Sequence, residues 1–282
     1  VIHLEDVTQL RDPIMIAAFE GWNDAGEAAT AAVEHLAEIW KAEPIAAFDP
    51  EDYYDFQVNR PRVVLDDGKR RISWPTTRIL LATSTSLDRD VVLVQGIEPS
   101  TRWRSFTIEL LEFAQQLGVT TFVTLGALLA DVPHTRPIPV SATSEHDVIH
   151  RVGIEPSTYE GPTGIVGVLA DAASQADLTS MSCWAAVPHY AGGTPSPKAT
   201  LGLIAKLEEL LDLTIPHGDL VDQARAWEHG VDELAESDEE VAEYVHSLEE
   251  AQDTADLPEA TGEAIAQEFQ RYLRRREDPP AR

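Results

Sequence analysis

Ile14-Met-Ile-Ala-Ala-Phe-Glu-Gly-Trp-Asn-Asp24 decides the fold. The continuous apolar run Ile14–Phe19 reads as a buried strand. It ends in Glu20-Gly-Trp-Asn-Asp24, where Asn23 or Asp24 can cap a helix over Ala25–Trp40. Within that helix Ala28, Ala32, Leu36 and Ile39 recur at helical spacing. Strand, turn and helix, followed by Pro44–Phe48, form an opening βαβ unit, which sets the class as α/β.

Outward from this unit the pattern repeats with variations. Val63–Leu65 and Arg70–Trp74, joined by Asp66-Asp67-Gly68, read as a hairpin, because Asp-Gly suits a turn with positive φ. Arg78–Thr83, Val91–Gln95, Thr120–Leu125 and Met181–Val187 are further strands. Arg102–Leu117, Ile165–Gln175 and Lys198–Asp212 are helices, with Gly118 stopping the first of them. Ile138–Ala142 is a short strand candidate and His146–Val152 a helical one.

From Asp219 onward strand signals cease. Leu220, Ala224, Trp227, Val231 and Leu234 trace one amphipathic helix. Ser237 with Glu240 forms a capping box for a second, and Glu263–Arg276 reads as a third. The expected architecture is a three-layer α/β domain with a mixed, mostly parallel sheet over 1–215, followed by an acidic helical appendage over 216–282.

Composition narrows the function. Lys and Arg number 21 against 49 Asp and Glu, so the formal net charge of −28 argues against nucleic acid or an anionic membrane as partner. Between Asp219 and Glu263 sixteen carboxylates stand against one cation, Arg225. That stretch is either a solvated helical face or a docking surface for a basic partner. The single cysteine, Cys183, allows no internal disulfide and suits a reducing compartment. No run approaches the ~18 apolar residues of a membrane span, and Val1-Ile-His-Leu-Glu-Asp6 does not read as an export signal. A cytoplasmic protein is the expectation.

Three polar loops follow apolar runs: Thr124–Pro137, Tyr159–Ile165 and Ala186–Lys198. Loops at the carboxyl ends of parallel strands gather along one edge, where such folds place ligands. The candidate edge therefore comprises Glu20, Asn23, Asp24, Glu98, His134, Arg136, Gly161, Thr163, Gly164, His189 and Tyr190. Gly161-Pro-Thr-Gly164 precedes a helix, so it could hold an anion or serve close packing. His134 or His189 could do acid–base work beside Arg136, or could simply hydrogen-bond loop backbone. His146 and His150 lack the rest of a zinc motif, so no metal is expected. Ser100 and Thr101 lack a nucleophile elbow, and no cofactor motif is present.

Phe19-Glu-Gly-Trp-Asn-Asp-Ala-Gly26, Tyr159-Glu-Gly-Pro-Thr-Gly-Ile165 with Gly167, and Trp184-Ala-Ala-Val-Pro-His-Tyr190 with Pro195-x-Pro-Lys-Ala-Thr200 follow one another in order. With Ile265-Ala-Gln-Glu-Phe269 and Tyr272-Leu273, the chain resembles the proteasome-assembly-chaperone family in its actinobacterial branch. The resemblance implies a phosphorylase-like α/β sheet and a non-enzymatic assembly or scaffold role exerted through surfaces offered to other proteins. It also implies self-association into a homo-oligomer, with a trimer as one candidate, and carries over no catalytic residue. The acidic appendage departs from the minimal chaperone. The rival expectation is a nucleoside hydrolase or phosphorylase, with Arg136 or Gly161–Gly164 binding an anion and His134 or His189 as acid–base group.

Overall fold

The computed structural model describes residues 2–3, 7, 9–83, 88–144, 154, 156–176 and 178–255. The helix expected over His146–Val152 and the one over Glu263–Arg276 lie outside the described residues.

The described residues form ten strands: β1 (Ile2–His3), β2 (Ile14–Glu20), β3 (Glu43–Ala47), β4 (Arg62–Asp66), β5 (Lys69–Ser73), β6 (Arg78–Ala82), β7 (Val91–Ile97), β8 (Thr121–Ala130), β9 (Val140–Thr143) and β10 (Thr179–Pro188). Among them run α1 (Ala28–Ile39), α2 (Pro50–Tyr53), α3 (Trp103–Gln116), α4 (Ile165–Gln175), α5 (Pro197–Leu211), α6 (Leu220–Glu236) and α7 (Glu239–Ala255). Eight strands make one sheet in the order β1-β3-β6-β7-β2-β8-β10-β9, and β4 with β5 makes a separate ribbon. The central strands β7, β2, β8 and β10 are parallel, flanked by antiparallel pairings of β6 on one side and β9 on the other. The sheet is mixed and mostly parallel at its centre, as expected.

Side-chain alternation along β2 builds the three layers. Ile14, Ile16 and Ala18 face one cluster, which includes α1 through Ala32 and Leu36 and α5 through Leu203 and Leu207. Met15, Ala17 and Phe19 face the other, with α3 through Phe106 and Leu110 and α4 through Ile165 and Leu169. These six β2 residues, Ile14–Phe19, are fully buried, and only Glu20 at the strand end is exposed. Successive strand side chains point to opposite faces, so both faces must be apolar and the run shows no polar interruption. Phe106 stacks on Phe48 at 4.3 Å between centroids and meets Phe19 and Tyr53 edge-on. Each such side chain contributes on the order of 1.5–3 kcal/mol by leaving water. Among the described residues no helix is long and apolar enough to cross a membrane.

Four local expectations change. The opening βαβ unit is real, but β3 does not lie beside β2; β7 and β6 intervene. β8 runs on through Ala130, so half of the first expected loop is strand. A 3-10 turn over Ala25–Glu27 precedes α1, and Asp24 caps that helix from outside. Asp238, one residue beyond Ser237, caps α7 by accepting from Glu240 N at 3.0 Å. Ser237 instead donates to Leu234 O at 2.7 Å.

Candidate functional site

The ends of β2, β7, β8 and β10 do share one edge of the sheet, and the candidate residues fall there in two groups. The first forms around the turn after β2. Asn23 is 1% exposed, and its carbonyl accepts from Ala127 N at 2.8 Å, tying the turn to β8. Asp24 Oδ1 accepts from Ala29 N at 2.7 Å and Thr30 N at 3.2 Å, while Oδ2 accepts from the Thr30 hydroxyl. Burial raises the Asp24 pKa against the pull of these donors. Glu20 is raised too, by partial burial and then by the neighbouring carboxylates Glu34 and Asp24. Asp24 is thus occupied as a helix cap.

Glu98, just past β7, decides the fate of the Gly161–Gly164 turn. One carboxylate oxygen, Oε1, accepts from Ile165 N at 2.8 Å and from Asn23 Nδ2 at 2.9 Å. Free N–H groups at a helix start attract an anion. Here the chain supplies that anion itself, at the first residue of α4. Gly164 is required by close approach, since an added Cβ would stand 2.6 Å from Asn23 Cγ. Gly161 lies under the Tyr159 ring, whose hydroxyl donates to Pro162 O at 2.9 Å. The Thr163 hydroxyl packs against Gly167.

The second group forms where β8 and β10 end. His134 is 1% exposed. Its Nδ1 and its backbone N both lie 2.8 Å from Tyr190 Oη, and its Nε2 lies 3.0 Å from Asp232 Oδ1 of α6. The tautomer protonated at Nε2 satisfies all these atoms: the Tyr190 hydroxyl accepts from the backbone and donates to Nδ1. Lys198 donates to the His134 carbonyl and pairs with Glu228 of α6 at 2.6 Å. Arg136 grips Asp253 of α7 through Nε and Nη2, both at 2.8 Å, and reaches Glu249 at 3.2 Å. The Thr135 hydroxyl donates to the same Glu249. Asp131 accepts from Tyr244 of α7 at 3.0 Å and faces His189 Nδ1 at 3.3 Å. The His189, Tyr190 and Tyr244 rings meet edge-on at 5.3–6.2 Å.

The acidic helices therefore fold back over the loop edge, and its cations are their counter-charges. Asp232, Glu228, Tyr244, Glu249 and Asp253 complete a cluster that sequence reading does not assemble. The signal was present as a strongly acidic segment following a few isolated loop cations. The Asp232–His134–Tyr190 chain has the outline of a relay, but the imidazole is closed off. Burial also pushes the Tyr190 phenol up to about 12, which leaves almost no phenolate at neutral pH. The two groups are separated by the stretch from Ala127 to Asp131, about 13 Å along β8 at the usual rise. A cavity of about 620 Å³ opens elsewhere, between β9, Ile154 with residues 156–159, and α5, and none of the candidate residues lines it.

The ion pairs give α7 a pH response. Hydrogen bonds from Thr135 and then the charge of Arg136 hold Glu249 below its ordinary value of 4.5, and Arg136 lowers Asp253 from 3.8. A carboxylate depressed in the folded state stabilises above its unfolded pKa, and that contribution is lost as pH falls through the folded value. Asp24, Glu20 and Glu34, all raised by burial, act with the opposite sign. The readout must therefore be local. The near-ultraviolet signal of Tyr244 should hold from neutral pH to about pH 4 and change only below it; a change completed at pH 6 would contradict these pairs.

The PAC2 family model matches residues 18–235. A PAC2 family protein from Streptomyces avermitilis is 59% identical, with a TM-score of 0.78 over 83% of this chain and 100% of that one. A proteasome-assembly chaperone homologue from Mycobacterium tuberculosis is 50% identical, with a TM-score of 0.75 over 82% of this chain and 99% of that one. An archaeal proteasome activator from Pyrococcus furiosus shares the fold at 18% identity, with a TM-score of 0.64 over 83% and 97% of the two chains. No curated protein matches. The matched span runs from the end of β2 through β10 to α6, takes in the candidate edge residues and leaves out β1 and α7, and with it the chain belongs to the PAC2 family.

Proposed function

We propose that this chain is a non-enzymatic assembly factor that works in the cytoplasm, self-associates, and presents its sheet edge to protein partners, with proteasome subunits the first candidates. The observation that carries this reading is a contrast at one edge. The polar groups that acid–base chemistry would need are consumed internally, His134 by Tyr190 and Asp232 and Glu98 by α4. Apolar groups beside them stay in water: Trp22 is 66% exposed, Leu129 53% and Leu128 45%. An exposed apolar patch with a polar surround suits a protein interface. The M. tuberculosis relative, half identical, is described as a proteasome-assembly chaperone homologue, which points the partner class toward proteasome subunits. The lone buried Cys183 suits a reducing compartment.

The test mixes the purified chain with proteasome α-subunits and follows complexes by native mass spectrometry. A stoichiometric complex is expected, and Trp22→Glu with Leu129→Glu should weaken it about tenfold or more, since burying a charge opposite an apolar partner costs at least ~1.4 kcal/mol. No complex, or one indifferent to both substitutions, would contradict the proposal.

A further inference from the structure

The β4–β5 ribbon belongs to neither core cluster, and every residue from 62 to 72 is exposed. Its register is regular: Val63 opposes Ile72 and Leu65 opposes Arg70 on one face, while Val64 opposes Arg71 and Asp66 opposes Lys69 on the other. The first face therefore presents Val63, Ile72 and Leu65 to water at 53%, 52% and 74% exposure, with Arg70 alongside. Trp74, two residues beyond Ile72, is 46% exposed and tilts against Phe56 at 4.9 Å. A two-stranded ribbon without a third layer is marginal in water. This one projects an apolar strip about 17 Å long, from five-residue strands at about 3.4 Å per residue. It lacks a cover.

Its charge says what the cover is. Residues 58–74 hold five of the chain's 21 cations, namely Arg60, Arg62, Lys69, Arg70 and Arg71, against Asp66 and Asp67. Arg71 pairs with Asp66 at 3.1 Å, and the other four make no ion pair among the described residues. A net positive arm stands on a chain whose total is −28. The matching surface lies on the same molecule. Leu234 falls in the apolar register of α6, yet it is 53% exposed. It is accompanied by exposed Glu233 and Glu236 on α6 and Glu240 on α7. An apolar centre among carboxylates complements an apolar strip among guanidinium groups.

We infer that the β4–β5 arm of one copy docks on the acidic α6–α7 face of a second copy around Leu234. The inference rests on the reading that the chain self-associates, and it assigns the surface. Two arms facing each other would oppose like charges, so the contact joins different patches. Such a head-to-tail contact closes into a ring or continues as a filament.

Sedimentation velocity on the full chain tests both levels. Leu65→Ser with Arg70→Glu alters only exposed arm residues, so the fold and its thermal midpoint stay as in the wild type. This arm variant should self-associate at least tenfold more weakly. A face variant, Glu236→Lys with Glu240→Lys, should be weakened equally. Mixed one to one, the two should recover a dimer, because each retains the half the other lacks. Raising salt from 0.1 to 1 M shortens the screening length from about 10 to about 3 Å and should loosen the wild-type assembly. If the wild type is a monomer at every accessible concentration, the self-association reading fails and this assignment with it. If the wild type assembles and the arm variant assembles equally well, the arm assignment alone is overturned. Two weakened variants that form no mixed dimer would overturn the head-to-tail arrangement. Arg70→Glu alone repeats the arm test with a single surface change if the double variant is poorly folded.

Discussion

Gly164→Ala should lower the stability of this protein by about 3 kcal/mol, although it adds one methyl group to a residue whose backbone any amino acid adopts (φ −96°, ψ −172°). The reason is steric. The new Cβ would enter the space held by the Asn23 amide, 2.6 Å from its Cγ, and that amide cannot swing away cheaply. Asn23 is 1% exposed, its carbonyl is tied to Ala127 N, and its Nδ2 donates to Glu98. Overpacking costs about 1–3 kcal/mol, and losing a hydrogen bond to a charged group about 1.5–3. The melting temperature should fall by roughly 6–12 °C for a chain of this size. Gly230→Ala is the contrast. Gly230 lies inside α6, where an added Cβ meets nothing within 4 Å, so alanine should stabilise by about 0.5–1 kcal/mol. Equal effects of the two substitutions would contradict the account of the Asn23–Glu98–Ile165 junction.

Arg136→Ala should leave the sheet intact and loosen α7. Arg136 makes a two-pronged grip on Asp253 and a third bond to Glu249, and its side chain is only 33% exposed. Charge-assisted paired bonds are stronger than an ordinary surface ion pair, yet Asp253 is 55% exposed and screened. The opening equilibrium of α7 should shift about tenfold toward the undocked helix. Removing the cation also leaves the α7 carboxylates beside those of α6 without their nearest counter-charge. Val245, only 7% exposed, remains to hold the helix, so it loosens without global unfolding.

The layers were legible because burial on two faces leaves a strand such as Ile14–Phe19 apolar throughout, and because Asp67-Gly68 announces its turn, both residues having positive φ. Strand order was not legible: periodicity says that β3 exists and nothing about the two strands that separate it from β2. β8 is expected to end at Leu125, yet it continues through Gly126. That residue is glycine because the Trp184 ring of β10 lies across it, where a Cβ would stand 2.6 Å from Cε3. At the candidate edge the residues were legible and their partners were not. His134 meets Asp232 across 98 residues, and Arg136 meets Asp253 across 117. No local pattern encodes such pairings, although a few cations ahead of a strongly acidic segment hinted at them. The Gly161–Gly164 turn reads as serving either close packing or an anion; Gly164 is packed against Asn23, and an anion is there as well. That anion is Glu98, a neighbour in space that lies 67 residues from Ile165 in sequence.

The central claim is that the polar edge is spent on holding the chain's own acidic helices. Amide hydrogen exchange of wild type and Arg136→Ala, compared at one neutral pH, tests it most directly. Exchange over α7, Glu239–Ala255, should quicken about tenfold, while β8 and β10 keep their protection. Unchanged exchange over α7 would show that Arg136 does not hold it, and the edge would then have to be read again as open for other work.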